Sequence, residues 1–211
     1  SWTFTNVVVD GRPLVYVCNQ SNAYLPPGDY GELLVTHSSN LTIADTDYVI
    51  AMARVENVLV RNATFTGNDG FSAFYCSNVR IEECNSSATD FYSILLRSCE
   101  GALLSEVEVS SGAGYGALLG STSNSTVRNS TFSNLQVGFG GFDAENVTAL
   151  NCTFQSNYVG VYISGLHNAS VIECSFYENV IGLYIENCSY VYIIDCTFVD
   201  SQYSIFVENS E

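Results

Sequence analysis

Seven segments of this chain superimpose on one another almost without gaps. They begin at Asn57, Asn78, Gly101, Asn124, Asn146, Asn168 and Tyr190. The spacing is about 22 residues, and a fixed period in this range marks a solenoid. The last three read NVTALNCTFQSNYVGVYISGLH, NASVIECSFYENVIGLYIENCS and YVYIIDCTFVDSQYSIFVENSE. Counted from the first residue of each segment, position 4 is Val60, Ile81, Leu104, Val127, Ala149, Val171 and Ile193. Position 7 is Ala63, Cys84, Val107, Ser130, Cys152, Cys174 and Cys196, and position 9 is Phe65, Ser86, Val109, Phe132, Phe154, Phe176 and Phe198. These small or apolar columns are assigned to the interior. Position 6 is Asn62, Glu83, Glu106, Asn129, Asn151, Glu173 and Asp195, a polar column assigned to solvent. Apolar and polar residues alternate within each segment, as in a strand. A second alternating stretch follows Gly160 and Gly182. Asn157 and Asn179, three residues before each of these glycines, suit a tight turn tolerant of left-handed backbone.

Strand, turn, strand, turn, stacked on its own copy, predicts an all-β fold. It is a right-handed parallel β-helix of about seven or eight rungs. The whole chain, 1–211, reads as one domain, with regular repeats over 40–211 and a less regular segment over 1–39. Asp10-Gly11 between β-branched runs predicts that this segment forms a hairpin or lead-in strand.

NVTALNCTFQSNYVGVYIS resembles the rungs of the NosD-like, or CASH-domain, family of parallel β-helix repeats. VDGRPLVYV followed by SNLTI resembles the opening of archaeal surface proteins of that type. The resemblance covers nearly the whole chain and implies the fold. It does not choose a function, because surface proteins, carbohydrate-active enzymes and accessory proteins all use such repeats. That repeat commonly carries an inward Asn at position 7, where this chain has Cys84, Cys152, Cys174 and Cys196.

The net charge is −16, and all six basic residues are arginine. Phosphate neutralisation needs a basic face, so the charge argues against nucleic acid as a partner. It argues equally against an anionic membrane surface, and no apolar run reaches the length of a span, so no membrane insertion is expected. Asn-X-Ser/Thr sequons occur at Asn19, Asn40, Asn62, Asn85, Asn124, Asn129, Asn146, Asn151, Asn168 and Asn187. They predict covalent N-glycans and an extracellular or cell-surface location, although the repeat's own preference for Asn at positions 1 and 6 competes as an explanation. The chain begins at Ser1, as expected of a processed mature form or an expressed piece.

Eight cysteines in a secreted chain suggest disulfides. Cys76 and Cys99 fall on adjacent rungs, as do Cys152, Cys174 and Cys196, within reach of bonding after local adjustment. Buried free thiols acting as small apolar groups are the other reading, and both stay open. No metal or other cofactor is expected, since metal-ligand spacing is missing.

Glu83, Glu106, Glu173 and Asp195, with Arg61 and Arg80 near the first pair, are the acids that a polysaccharide-cleaving site could draw on. The Gly-His-Gly, Asn-Thr-Asp and Asp-Asp patterns of pectin-degrading hydrolases are missing, so no catalytic residue is assigned. Three readings follow. The leading one is a non-enzymatic structural protein that polymerises head to tail with itself into a fibre or surface layer. In it the N-terminal Trp2, Phe4, Val7 and Val9 cover Ile205 and Val207 of the next copy. The others are a glycan-binding or adhesive module presenting Tyr162, Tyr184, Tyr192 and Tyr203, and a polysaccharide lyase or hydrolase.

Overall fold

The computed structural model describes residues 7–9, 11–25, 27–28, 30–65, 69–87, 91–112 and 114–210. Among them the chain is strands, turns and bends, wound into a β-helix of three sheets. The eleven-stranded sheet runs from Val8–Val9 and Arg12–Cys18 to Tyr203–Glu208. The nine-stranded sheet runs from Ser21–Leu25 to Ser189–Ile194. The seven-stranded sheet runs from Thr64–Phe65 to Thr197–Val199. Every pairing but one is parallel, each strand bonding to its equivalent one rung away.

One rung shows why these residues bend where they do. His167–Ile172 lies in the nine-stranded sheet, Ser175–Tyr177 in the seven-stranded sheet and Ile181–Glu186 in the eleven-stranded sheet. Left-handed residues mark the bends: Asn168 (φ 60°), Glu173 (53°), Glu178 (53°) and Asn187 (50°). Asn and Asp tolerate this conformation better than most residues, because a short polar side chain can bond locally. The recurrence of Asn at positions 1 and 6 therefore has a backbone cause. Rung-to-rung bonds hold the less suited residues in place, as where Glu173 N donates to Ile194 O at 2.9 Å.

The interior follows the expected register. Positions 4, 7 and 9 are buried from Val60, Ala63 and Phe65 through Val171, Cys174 and Phe176, and Asn151 is exposed. Phe132, Phe154, Phe176 and Phe198 form a column with centroids 5.4, 5.1 and 4.6 Å apart. Stacked rings fill the coil and exclude water along its length.

Three details differ from expectation. A full rung has three strands, because the left-handed residue at position 6 breaks what reads as one alternating run into two. The coil also starts earlier. The hairpin is present, with Val8 opposite Pro13 across Gly11 (φ 80°). Yet Arg12–Cys18, Glu32–Thr36 and Val49–Ala53 already stack in parallel. Leu14 pairs with Glu32 and Glu32 with Val49, offsets of 18 and 17 residues, against 22 for Val161 and Leu183. These short rungs make no strand of the seven-stranded sheet. Finally, Asn157 and Asn179 are buried, at 2 % exposure each. The left-handed residue is the one before, Ser156 or Glu178. Asn157 Nδ2 donates to Phe132 O and Asn179 Oδ1, and Asn179 Nδ2 to Phe154 O. Both side chains satisfy backbone groups inside the coil, which solvent cannot do there.

Candidate functional site

Alternation along the eleven-stranded sheet puts every second residue on its outer face. One column there reads Ala53, Phe74, Arg97, Gly120, Phe142 and Ser164 in register. The column beside it includes Ala51, Leu95, Leu118, Gly140 and Tyr162. Small residues next to aromatic ones leave hollows. One, of about 370 Å³, is floored by Ala51 and Ala53 between Tyr16 and Phe74. The second, of about 390 Å³, lies over Gly120 between Phe74, Tyr92 and Phe142, with Leu95 and Leu118 beside it. Phe74 is common to both.

Two charges reach the second hollow, Arg97 and Asp143. Arg97 is exposed and makes no ion pair among the described residues. Elsewhere Arg12 pairs with Asp47 and Arg80 with Glu82. Asp143 sits at a corner in the left-handed conformation (φ 49°), which turns it to the rim. Beyond Phe142 an aromatic strip continues along the axis. Phe142 to Tyr162 is 5.1 Å, Tyr162 to Tyr184 4.9 Å and Tyr184 to Phe206 5.0 Å. Tyr162 Oη donates to Glu186 Oε2 at 2.6 Å and Tyr184 Oη to Glu208 Oε2 at 2.9 Å. The bond to the Glu186 carboxylate, with burial second, pushes the Tyr162 phenol up to about 12. Burial also raises the Tyr115 phenol, whose ring meets Phe142 edge-on at 6.0 Å. Aromatic faces stack on the apolar faces of sugar rings, and a free guanidinium grips a carboxylate in bidentate fashion. The rung spacing of about 4.8 Å is close to the length of one pyranose in an extended chain.

The residues singled out from the sequence lie elsewhere. Glu83, Glu106, Glu173 and Asp195 are exposed along the corner between the other two sheets, away from the hollows. Arg61 and Arg80 end on the nine-stranded sheet, as does the exposed Tyr192, whereas Tyr162, Tyr184 and Tyr203 belong to the eleven-stranded one. Nine of the sequon asparagines are exposed and Asn146 is half-buried. Several form amide ladders: Asn57 to Asn40, Asn168 to Asn146 to Asn124, and Asn151 to Asn129. All eight cysteines are free thiols. Sequence reasoning missed the outer hollows. The signal was the placing of Ala51, Ala53, Gly120 and Gly140 at alternate positions beside Phe74 and Phe142.

Comparison with known proteins bears on this face. The family described as the right handed beta helix region matches residues 92–211, more than half of the chain. The chain belongs to the right-handed beta helix family. No curated protein matches it by sequence. Among solved structures, the family fold is shared with the Azotobacter vinelandii mannuronan C-5 epimerase AlgE4 A-module. Identity is 15 %, TM-score 0.58, and the match covers 92 % of this chain and 89 % of that one. The periplasmic alginate epimerase AlgG matches at 10 % identity and TM-score 0.65, over 94 % of this chain and 76 % of its own. The hyperthermoactive exopolygalacturonase from Thermotoga maritima matches at 17 % and 0.65, over 85 % and 53 %.

At such identities the likeness is one of fold, but it overturns the leading expectation of a non-enzymatic, fibre-forming protein. The three solved β-helices just named are, by their names, polysaccharide-active enzymes, and this chain's own outer face carries hollows rather than a plain solvated surface. The assembly residues give no support either. Val7 O already accepts from Leu14 N at 2.9 Å within the same chain, so the N-terminal strand is engaged in its own hairpin. Ile205 and Val207 are exposed on the last strand, and Trp2 and Phe4 lie outside the described residues.

Proposed function

We propose that this chain is a polysaccharide-active enzyme that binds an acidic glycan along the outer face of the eleven-stranded sheet. Its reaction begins with removal of the proton α to a uronate carboxylate. The observation that carries this reading is Arg97, a cation without an ion pair among the described residues, inside an aromatic-walled hollow. Its guanidinium would hold the substrate carboxylate and stabilise the charge that develops on it when the neighbouring C–H is broken. Asp143 is the described carboxylate at the same hollow and takes the proton, and Tyr92 forms part of the hollow's wall. Return of a proton from the opposite face inverts the carbon. Departure of the glycosidic oxygen from the next carbon instead leaves an unsaturated end. Both outcomes share the first step. Hydrolysis by paired carboxylates needs two such groups about 5–9.5 Å apart, and among the described residues the hollow is lined by one.

Two kinds of neighbour, named for mannuronan or alginate epimerisation and for polygalacturonan cleavage, support an acidic glycan as substrate class. A location outside the cytoplasm belongs to the same proposal, since such polymers are met there and one neighbour is named periplasmic. The test is incubation with mannuronan, alginate and polygalacturonate in deuterated water. NMR should show deuterium entering at the carbon bearing the carboxylate, or new unsaturated ends. Arg97→Ala and Asp143→Asn should each lower the rate by about 10²–10⁴-fold. No exchange and no new ends on any of the three polymers would defeat the proposal.

A further inference from the structure

Cys76 and Cys99 occupy equivalent places on successive rungs. Their neighbours fix this: Phe74 pairs with Arg97, Ser77 bridges to Glu100, and Glu100 N donates to Cys76 O at 3.0 Å. Both side chains point into the coil and are 3 % exposed. Adjacent parallel strands put their Cα atoms about 4.8 Å apart, inside the Cα window of a disulfide, and a local adjustment brings the two Cβ atoms within reach. The pair is also unambiguous. Val55 lies one rung below and Thr122 one rung above, so each thiol has a single cysteine neighbour. Cys84 stacks between Ala63 and Val107 and has none. Cys152, Cys174 and Cys196 form a row of three, where any bond leaves one thiol over.

We propose that Cys76 and Cys99 are a built disulfide site, closed by thiol–disulfide exchange with a small-molecule disulfide such as oxidised glutathione. The thiolate of one cysteine attacks one sulfur of the oxidant and expels a glutathione thiolate. The sulfur of the other then displaces the second glutathione, and its proton leaves with it. Two thiols lose two electrons, and one small disulfide gains them as two thiols. Before the coil closes, either thiol can be the attacking sulfur, in its ionised form. With both groups buried, the exchange belongs to folding, before the two rungs close over the pair.

The bond would act directly beneath the outer hollow. Cys76 Sγ donates to Phe74 O at 3.3 Å and Cys99 Sγ to Arg97 O at 3.4 Å. Phe74 and Arg97 are the two side chains that stand next to each other on the outer face. A cross-link two residues on from both ties their rungs together covalently. The disulfide stands or falls independently of the catalytic reading, because its test does not involve substrate.

The test is to refold the full chain in a buffer of reduced and oxidised glutathione, block free thiols with iodoacetamide in guanidinium chloride so that buried thiols react too, and map unreduced peptides by mass. The expected result is a peptide pair joined through Cys76 and Cys99, two hydrogens lighter than its parts, with Cys84 alkylated. In Cys99→Ser, Cys76 should be alkylated like Cys84. Reduction should lower the thermal midpoint of the refolded wild-type protein by several degrees and leave that of Cys99→Ser in place. Alkylation of Cys76 and Cys99 to the extent of Cys84, or linkage of either to another cysteine, overturns the proposal. The mapping on the wild-type chain decides the matter without the variant.

Discussion

At the scale of single residues, asparagine serves two ends in this protein. Outside, Asn151 and Asn168 occupy left-handed corners and bond to the next rung in water. Inside, Asn179 Oδ1 accepts from Asn157 N at 3.0 Å and from Asn157 Nδ2 at 3.1 Å. Removing the inner one strands buried donors and the Phe154 carbonyl, at about 1–3 kcal/mol for each group left unsatisfied. Asn179→Ala should therefore lower the unfolding free energy by about 2–5 kcal/mol, measured by urea titration. Asn151→Gly, which keeps the corner conformation, should stay within about 1 kcal/mol of wild type. Comparable losses in both would mean that the inner ladder carries no special weight. Tyr162 adds a pH dependence. Its folded pKa, about 12, lies above the ordinary value of 10, so folding favours the neutral phenol. The stabilisation is complete below pH 10 and is lost as pH rises from 10 to 12, where the unfolded chain ionises first. Glu186→Gln removes the carboxylate that holds the phenol neutral. The alkaline fall in stability over that window should be shallower in the variant, and an equally steep fall would exclude Tyr162 as its source.

At the scale of the strands, two glycines predict opposite behaviour. A Cβ added at Gly160 would lie 2.6 Å from Gly182 O and 2.9 Å from the Phe176 ring. Both belong to the next rung, and the carbonyl cannot yield without breaking the ladder. Gly160→Ala should destabilise the fold by about 1–3 kcal/mol, as overpacking does. At Gly120 the nearest atom to an added Cβ is Arg97 Cγ at 3.8 Å. Gly120→Ala should fold normally and weaken glycan binding by filling the hollow's floor, seen as a higher Kd at unchanged urea midpoint. This contrast also explains what could be read from the sequence. Phe132, Phe154, Phe176 and Phe198 recur because every rung faces the same interior, so repetition revealed fold, register and core. The third strand stayed hidden because Ser175–Tyr177 continues the alternation of the strand before it, and only the backbone at Glu173 separates them. The candidate site was less legible still. It is made of departures from the repeat: Arg97 stands in the column of Phe74, Gly120 and Phe142, and the hollow exists only once those rungs are stacked in register. Columns of like residues announce themselves in a sequence; a single unlike residue on an outer face does not.

At the scale of the whole molecule, charge sets a condition on the proposed substrate. The chain carries −16, and Glu186 and Glu208 lie on the same outer face as Arg97. A polyuronate is also an anion, so at long range the two repel, while at contact Arg97 attracts one carboxylate. The two effects respond differently to salt. The screening length is about 30 Å at 0.01 M ionic strength and about 8 Å at 0.15 M. Raising salt over this range removes the long-range repulsion, which acts across the whole solenoid, before it weakens a contact pair in a partly desolvated hollow. Affinity for mannuronan or polygalacturonate should therefore rise from 0.01 to 0.15 M and fall again towards 1 M, where the length is about 3 Å. Arg97→Ala should bind weakly throughout and lose the falling limb. A neutral polysaccharide of similar length should show little dependence on salt. Calorimetric titration at three ionic strengths would decide it. An affinity for polyuronates that fell steadily from the lowest salt would mean that a basic surface dominates their capture. With six arginines against 22 acidic residues, and Arg12 and Arg80 already paired, that result would move the binding site away from the hollow and remove the acidic glycan from the proposed function.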